Sequence, residues 1–415
     1  MRYWLTLAFI FVLARIGLGC PFCSALAPCL REELSQVDHV AIAICTESVR
    51  QVGDLPLHSF RIESLAPSAA EAKQIDASLK LVGTVVHAYS LKRYKVGERT
   101  LMFCIGQDGE LAWSPVEPMS KSCLDYVQHV FGYSRLESPE WLARYGAESI
   151  REEVLASSRD KYRWLNLYWK HLESEDTWVQ RDSYNALAKV STEELRPWSK
   201  ELGPKAIRER LEQNEVSVSH RRFYWAILGL CGEKEDAKFA WAAIERQMTA
   251  RKEKPISQDA VGLDAAISTY LLLGSEPALE RVELELFRNS ERHHSERFAA
   301  LSALRVHAQE FQKFDKKRIC KALSSLLDDA DCVDMVIPDM ARLEDWSHVE
   351  TLKTKFLAAA EAEQQQLLVP IINYLRACPK PEAAKALDAC EKASPDAFKR
   401  AKTIFPFLRD STSDN

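Results

Sequence analysis

The chain lacks a strong excess of charge of either sign. Its 415 residues include 55 Lys and Arg against 60 Asp and Glu, which gives a net charge of -5. Local basic clusters such as "HRRF" and "TARKEK" are interrupted by acidic residues. This balance provides no global attraction to nucleic acid or to an anionic membrane surface, and we predict no nucleic-acid partner.

Long hydrophobic runs are also missing. The apolar run "YWLTLAFIFVLA", which follows Arg2, is too short to span a bilayer, so we predict no transmembrane segment in the mature chain. The segment Gly17 to Gly19 after it has the small-x-small pattern that signal peptidase requires. We therefore expect residues 1–19 to be a removed signal peptide and the mature chain to begin at Cys20. The protein is then exported, to the periplasm, the cell envelope or the medium.

Lipid attachment at Cys20 is the second alternative for this end of the chain. The usual lipobox has leucine three residues before the cysteine, where this sequence has Gly17, and Leu18 stands one position out of register. We therefore favour a mature chain without lipid.

The common catalytic signatures are absent as well. The chain has no Walker loop, Gly-x-Ser-x-Gly elbow, Rossmann glycine fingerprint or His-Glu-x-x-His helix. The pair His293-His294 precedes a helix, and adjacent histidines on a helix point about 100° apart, so we expect a solvated turn. The acidic run Leu327 to Asp334 lacks the spacing and the glycine of an EF-hand, and helix capping explains it better. We predict no metal and no cofactor.

Cysteine, by contrast, is plentiful, with eleven residues in the chain. An even number of cysteines in an exported segment suggests a disulfide framework, here with 15 arrangements that spacing cannot distinguish. The candidates all lie before residue 124: Cys20, Cys23, Cys29, Cys45, Cys104 and Cys123.

The later cysteines include two pairs that are each twelve residues apart, Cys320 with Cys332 and Cys378 with Cys390. If each pair brackets about nine helical residues, its α-carbons lie roughly 13 Å apart, beyond the 7 Å limit for a disulfide. We therefore predict that these four residues are small buried hydrophobes.

The string "CPFC", Cys20 to Cys23, resembles the glutaredoxin motif, and Leu26, Leu30 and Leu34 have the spacing of an apolar helix face behind it. The resemblance implies an exported thiol-disulfide oxidoreductase that uses Cys20 and Cys23. The Thr-Val-Pro loop and the Gly-Gly pair of that family do not follow, however. We therefore favour a structural disulfide and keep redox catalysis as an alternative.

Residues 20–118 have a β pattern after the cysteine cluster. Period-two alternation appears in "HVAIAICTESV", "HSFRIESL", "LKLVGTVVHAYSL" and "TLMFCIGQDGELAWS", which turn-forming residues separate. A cysteine cluster followed by a small β-barrel resembles the netrin-like modules of metalloproteinase inhibitors. That resemblance implies an OB-like barrel and, as a further alternative, protease inhibition through the mature N-terminus. The sequence departs from those inhibitors in having Cys-x-x-Cys in place of Cys-x-Cys.

After a bridging segment, residues 119–158, long helical patterns recur up to residue 405. "VIPDMARL" and "LVPIINYL" lie 32 residues apart and place Pro338 on Pro370, which indicates a shared bend. "RRFYWAILGLCG" and "DAAISTYLLLG" are apolar helices that end at Gly232 and Gly274. Amphipathic segments such as "DAKFAWAAIERQM" lie between the apolar ones.

This alternation resembles HEAT-like repeats, in which helical hairpins stack into a solenoid. The strings "NYLRACP" and "CPFC" are also similar to a family of exported bacterial proteins of uncharacterised function. The predicted fold is therefore a small, disulfide-rich, OB-like β-barrel followed by an all-α HEAT-like superhelical solenoid over residues 159–405. Residues 406–415 are predicted to be a disordered tail.

Two packing predictions follow for the helical region. We expect Phe223, Tyr224 and Trp225 to lie in an inner helix, with Tyr224 or Trp225 available as a contact residue if it faces the concave surface. We also expect Leu304 to be buried on a helix face that it shares with Phe298 and Leu301.

The leading functional hypothesis is an exported, non-enzymatic protein-binding or scaffolding protein. Its partner is another protein, bound through the concave face of the solenoid. The oxidoreductase and the protease inhibitor remain as alternatives.

Overall fold

The computed structural model describes residues 27–37, 39–52, 55–66, 81–107, 110–134, 152, 155–213, 216–253 and 262–404. The predicted signal peptide, Cys20, Cys23 and the predicted tail lie outside these residues. The chain divides into two compact units, unit 1 (Met1–Glu194) and unit 2 (Leu195–Asn415), and each is described by itself.

The core of unit 1 is a five-stranded antiparallel sheet. Its strands are β1 (His39–Val52), β2 (Leu55–Ala66), β3 (Val85–Tyr89), β4 (Arg99–Gln107) and β5 (Glu110–Pro118). Their order across the sheet is β3-β2-β1-β4-β5, and the two edge strands, β3 and β5, also contact each other. The sheet is therefore a nearly closed barrel, which confirms the β pattern read from the sequence.

Strand β1 lies in the middle of the sheet and pairs with both β2 and β4. It pairs with β2 from Val40 to Val52 but with β4 only from His39 to Ile44. Its register with β2 shifts three times, first between Ile42 and Ala43. Such bulges increase the local twist and bend the strand, so one strand serves both sides of the barrel.

Small residues of β1 and larger residues from the other strands and the β3–β4 loop fill the barrel. Ala41, Ala43 and Cys45 alternate along β1 and are fully buried. Opposite them lie bulkier side chains, which fit the space that the small residues leave. These are Phe60, Ile62, Leu65, Tyr94, Met102 and Trp113.

Helices complete unit 1. They are α1 (Leu30–Glu33), α2 (Lys121–Ser134), α3 (Arg163–His171) and α4 (Thr177–Ala188), with a 3-10 turn at Ser157–Arg159. Helix α2 lies in the predicted bridging segment and contacts α1 and α4, while α3 packs on α4. Asp176 caps α4 by accepting hydrogen bonds from the backbone N–H groups of Trp178 and Val179, at 3.0 and 3.2 Å. The helices up to residue 188 thus belong to the same compact unit as the barrel.

The rest of the described chain is helical. The helices are α5 (Thr192–Leu202), α6 (Pro204–Leu211), α7 (Val218–Cys231), α8 (Lys234–Glu253), α9 (Leu263–Leu273), α10 (Glu276–Val282), α11 (His294–Val306), α12 (Lys316–Ser324), α13 (Val333–Arg342), α14 (Val349–Glu361), α15 (Gln365–Ala377), α16 (Pro381–Ala393) and α17 (Pro395–Ile404). Two π-helical segments, Glu283–Phe287 and His307–Phe311, continue α10 and α11.

Alternate helices of unit 2 pack on each other. Helix α9 contacts α7 and α11, helix α15 contacts α13 and α17, and α14 contacts α16. Ion pairs extend the same pattern, since Arg305 of α11 binds Asp339 of α13 at 2.7 Å and Arg281 of α10 binds Glu245 of α8 at 3.1 Å. Unit 2 is therefore a repeat-like helical region.

Proline recurs at one phase in these helices. Pro338 and Pro370 each occupy the sixth residue of their helix, as the 32-residue spacing predicts. Pro197 was not predicted to share this phase, but it is also the sixth residue of its helix, α5.

The glycines at the ends of α7 and α9 do not adopt a left-handed backbone conformation. Gly232 has φ -71° and Gly274 has φ -79°, which any residue adopts. A β-carbon on Gly274 would lie 2.5 Å from the β-carbon of Ala278 and 2.9 Å from the carbonyl oxygen of Tyr270. Glycine is therefore needed because α9 and α10 approach closely at this turn.

The predicted inner residues are buried, with one correction. Phe223, Tyr224 and Trp225 are at most 2% exposed, so neither Tyr224 nor Trp225 is available as a contact residue. Leu304 is fully buried, but Phe298 is 43% exposed, so the shared face with Phe298 was wrong. Six residues along a helix turn by about 600°, which places the two side chains about 120° apart.

Candidate functional site

The predicted cysteine sites are buried where the structure describes them. Cys29 precedes α1, Cys45 and Cys104 lie in the barrel core, and Cys123 lies in α2. No disulfide joins two of the cysteines in the described part of the chain. The six-cysteine framework also needs Cys20 and Cys23, so it stays a prediction.

Burial favours the protonated thiol at Cys29 and Cys45. Desolvation raises the pKa of the Cys29 thiol to about 11 and raises the pKa of Cys45 as well. A thiol is nucleophilic only as a thiolate, so these side chains are unsuited to redox chemistry at neutral pH. The oxidoreductase alternative rests on Cys20 and Cys23 alone.

The later cysteine pairs behave as predicted. Cys320, Cys332, Cys378 and Cys390 are all at most 5% exposed, and none of them is bonded to another described cysteine. Burial raises the pKa of the Cys320 thiol to about 11 and that of Cys390 to about 12. Their role as small buried hydrophobes is confirmed.

A buried carboxylate fastens the cysteine segment to the helices of unit 1. Asp182 of α4 is 6% exposed and accepts hydrogen bonds from the Leu30 backbone N–H, at 2.7 Å, and from the Tyr126 hydroxyl, at 2.6 Å. Burial raises the pKa of the Asp182 carboxyl to about 6. Because its two oxygens are used within the protein, Asp182 serves as an anchor.

Charged side chains reinforce this anchor at the surface. Lys189 binds the carboxylate of Glu32 and donates a hydrogen bond to the carbonyl oxygen of Ala27, at 3.0 Å. The Arg31 guanidinium lies 4.4 Å from the ring centre of Trp164, at the distance of a cation–π contact. The segment just after the predicted Cys20–Cys23 motif is thus fixed to α2, α3 and α4.

A polar row crosses three strands of the barrel, but it is not a catalytic triad. The Ser59 hydroxyl lies 3.2 Å from a carboxylate oxygen of Glu47 and 3.1 Å from Nδ1 of His87. One hydroxyl proton serves one acceptor, so Ser59 donates to Glu47 and accepts from His87. A serine nucleophile instead needs a histidine that accepts its proton.

Two buried histidines gave no signal in the sequence, because an isolated histidine within an apolar segment has no diagnostic spacing. His58 is fully buried in the barrel, 5.4 Å from the ring centre of Tyr94. His307 begins the second π-helical segment and bonds through Nε2 to the carbonyl oxygen of Ser268, at 3.0 Å. Burial lowers the pKa of His307 to about 4, so it is neutral and donates through Nε2.

Unit 2 has an open groove that we call the lysine groove. It is formed by α12, the loop Leu343 to His348 and Lys380, and its volume is about 680 Å³. Three lysines of α12 line it together with Trp346 of the loop; these are Lys316, Lys317 and Lys321.

The loop of the lysine groove is held in place by hydrogen bonds. Tyr374 is buried and donates its hydroxyl proton to the carbonyl oxygen of Asp345, at 2.6 Å. Lys380 donates to the carbonyl oxygen of Trp346, at 2.9 Å. Glu344 adopts a left-handed conformation, with φ 61°, just after α13, where the backbone N–H of Asp345 donates to the carbonyl oxygen of Met340 at 2.9 Å.

A second groove, the tryptophan groove, lies between α8, the end of α9 and the start of α10, with a volume of about 650 Å³. Trp241 packs against Tyr270, with ring centres 4.8 Å apart, and Arg281 lies 4.1 Å above the Trp241 ring. Arg281 also pairs with Glu245, so its charge is compensated within the groove.

The remaining candidate motifs have structural roles. His293 caps α11: its Nδ1 accepts from the backbone N–H of Ser295, and its own N–H donates to Glu296, at 3.2 Å. Within the acidic run, Asp329 binds Arg297 at 2.8 Å. Among the described residues, no three His, Cys, Asp or Glu side chains are placed to share a metal ion.

The architecture defines a class: a five-stranded barrel-like sheet followed by a repeat-like helical region. Every helix in the described part of the chain is too short or too polar to cross a bilayer. Comparison with models of protein families, with curated proteins and with solved structures finds no match.

Proposed function

We propose that this protein is an exported, non-enzymatic scaffold in which an OB-like barrel precedes a HEAT-like solenoid that binds another protein. The observation that carries the proposal is the pair of open grooves in unit 2. Both grooves are lined by exposed lysines, and the partly exposed Trp346 lines the lysine groove; tryptophan is enriched where proteins bind each other.

The architecture supports the finer assignments. With β3 against β5, the strands run around the barrel in the order 1-2-3-5-4, which suits a five-stranded, partly open Greek-key barrel of the OB type. The packing of alternate helices in unit 2 is what stacked hairpins produce. Stacked repeats characteristically offer extended surfaces to protein partners.

Site-specific photocrosslinking tests the binding role. A photoreactive amino acid replaces Ser324 in the lysine groove or Ala242 in the tryptophan groove, in a bacterial host, and Glu291 in an exposed turn is the control. We expect a discrete protein adduct from at least one groove position and none from Glu291. Equal adducts at all three positions, or none at any, would contradict a groove-specific partner.

Export is tested separately. Alkaline phosphatase fused to the C-terminus should be active with the full chain and inactive when residues 1–19 are deleted, because the enzyme needs an oxidising compartment. The mass of the mature protein should correspond to a start at Cys20. A retained Met1, or the added mass of lipid on Cys20, contradicts the form that we propose.

A further inference from the structure

The lysine groove concentrates positive charge on a protein that is acidic overall. Four lysines line it against two carboxylates, Glu344 and Asp345, so its lining has a net charge of +2 when His348 is counted as neutral. The whole chain has a net charge of -5. The local charge therefore comes from the fold, which brings α12, the loop and Lys380 together.

The lysines of α12 are not neutralised by neighbouring acids. Lys316, Lys317 and Lys321 are exposed, and the structure shows no ion pair between any of them and a described carboxylate. On a helix they fall within an arc of about 140°, so their ammonium groups face one side. The nearest acid in the chain, Asp315, caps α12 by accepting a hydrogen bond from the backbone N–H of Lys317, at 2.7 Å, and the first turn of the helix contains no further acidic residue. These charges are available to a ligand.

The two acids of the groove compete weakly for these lysines. The carboxylate of Asp345 is used within its own loop: one oxygen accepts from the backbone N–H and the hydroxyl of Ser347, at 3.2 and 2.6 Å, and the other lies 3.5 Å from Nε2 of His348. Glu344 alone remains as an exposed acid.

An aromatic side chain adds a flat apolar surface to the charged one. Trp346 is partly exposed in the groove, and its ring centre lies 5.1 Å from that of the buried Tyr374. Hydrogen bonds fix the loop on both sides of Trp346, so little conformational freedom is lost when a ligand binds.

We propose that the lysine groove binds an acidic peptide segment of a partner protein, with its carboxylates on Lys316, Lys317, Lys321 and Lys380 and its backbone or an apolar side chain on Trp346. Lysine ammonium groups are single-point donors that suit separate carboxylates, and the lining contains no arginine fork of the kind that grips phosphate in two places. This inference rests on the protein-binding function proposed above and adds the chemistry of the partner.

The tryptophan groove provides a matched control. Lys234 and Lys238 of α8 line it as exposed lysines beside Trp241. Its lining has the same net charge, because Lys234, Lys238 and Arg281 stand against Glu245, but it has two lysines where the lysine groove has four. Removing two lysines from either groove changes the net charge of the protein equally. A difference in binding between the two variants therefore shows which groove binds the probe.

The test uses the full-length protein and fluorescence polarisation. The probe is a short fluorescein-labelled peptide that alternates Asp and Glu, and a peptide of Asn and Gln is the neutral comparison. We expect Lys317→Gln/Lys321→Gln to weaken binding of the acidic probe about ten-fold, and Lys234→Gln/Lys238→Gln to weaken it less than about two-fold. Circular dichroism checks that both variants are folded, as expected for exposed lysines.

Three results overturn the proposal: no binding of the acidic probe, equal losses in the two variants, or stronger competition by inorganic phosphate or a single-stranded oligonucleotide than by unlabelled acidic peptide. The outcome is separable from that of the crosslinking experiment. A protein adduct at Ser324 without acidic-peptide binding refutes only the chemistry proposed for the partner. Acidic-peptide binding without any adduct refutes the scaffold function, but the acidic-peptide site in the lysine groove is retained.

Discussion

The two units differ in how far apart along the chain their bonded residues lie. In unit 1, Asp182 binds Leu30 across 152 residues, and Lys189 binds Ala27 across 162. In unit 2, ion pairs join helices that are closer in the chain, as between Arg305 and Asp339, which are 34 residues apart. Non-local contacts must close long loops before they stabilise anything, whereas stacked hairpins gain stability one neighbour at a time. The cysteine segment of unit 1 therefore depends on distant contacts, whereas the helices of unit 2 are joined by nearer ones.

The largest expected effect is a cavity in the core of unit 2. Leu304→Ala should lower the free energy of unfolding of this unit by about 2 to 5 kcal/mol, because Leu304 is fully buried. Phe298→Ala, on the exposed side of the same helix, should cost much less. Chemical denaturation followed by regional hydrogen exchange measures both. Equal losses from the two variants would be evidence against the packing described here.

Asp182→Ala tests how much the buried Asp182 anchor contributes to the stability of unit 1. It leaves the Leu30 backbone N–H and the Tyr126 hydroxyl buried without an acceptor, which should cost about 2 to 4 kcal/mol in total. Asp182→Asn keeps one acceptor oxygen and should cost less. The loss should appear in hydrogen exchange of residues 27–37 and α2, with unit 2 unchanged. An alanine variant as stable as the wild type would show that the anchor is dispensable.

The units should respond to pH in opposite directions. The pKa of His307 is lowered to about 4 by burial, so the unfolded state binds more protons, and the stability of unit 2 falls as the pH drops from about 7 to 4. The pKa of Asp182 is raised to about 6, so the folded state binds more protons, and unit 1 gains stability as the pH drops through about 6. Each contribution is on the order of 2 to 3 kcal/mol.

Hydrogen exchange at pH 7 and near pH 4.5, corrected for the intrinsic exchange rate, measures these pH effects. His307→Gln keeps a donor for the Ser268 carbonyl oxygen and should flatten the pH dependence of unit 2, while Asp182→Asn should flatten that of unit 1. A pH dependence that neither variant alters would assign the effect to other groups.

The smallest expected effect is at the surface of unit 2. Glu291 is exposed in the turn before α11, and Glu291→Ala should change the free energy of unfolding by less than about 0.5 kcal/mol. A loss comparable to that of Leu304→Ala would mean that this turn is buried against a partner.

Local patterns predicted local structure well. The alternation in "HVAIAICTESV" identified β1, the apolar run "RRFYWAILGLCG" identified α7, and the 32-residue spacing identified the equivalent positions of Pro338 and Pro370. The face shared by Phe298 and Leu304 was wrong because steps of three residues drift around a helix by about 60° each. Gly274 was correctly predicted to end a helix. Glycine is needed there because Ala278 of the next helix, α10, approaches closely, which the sequence does not show.

The candidate sites were harder to predict. Nothing in the sequence links Asp182 to Leu30, since their spacing follows no helical or strand period. The four lysines and Trp346 of the lysine groove lie in three separate segments, and each segment alone reads as an ordinary solvated surface.

By itself, the sequence determined that a β region precedes a helical one, that the later cysteines are buried and that Pro338 and Pro370 share one helical phase. These follow from the period of apolar residues and from the constraints of single residue types, which act over a few residues. Only the tertiary structure decided that β3 meets β5, that Asp182 anchors the cysteine segment and that lysines from separate segments share one groove. Those features depend on contacts between distant parts of the chain, whose partners are chosen when the whole core packs and not by any local period.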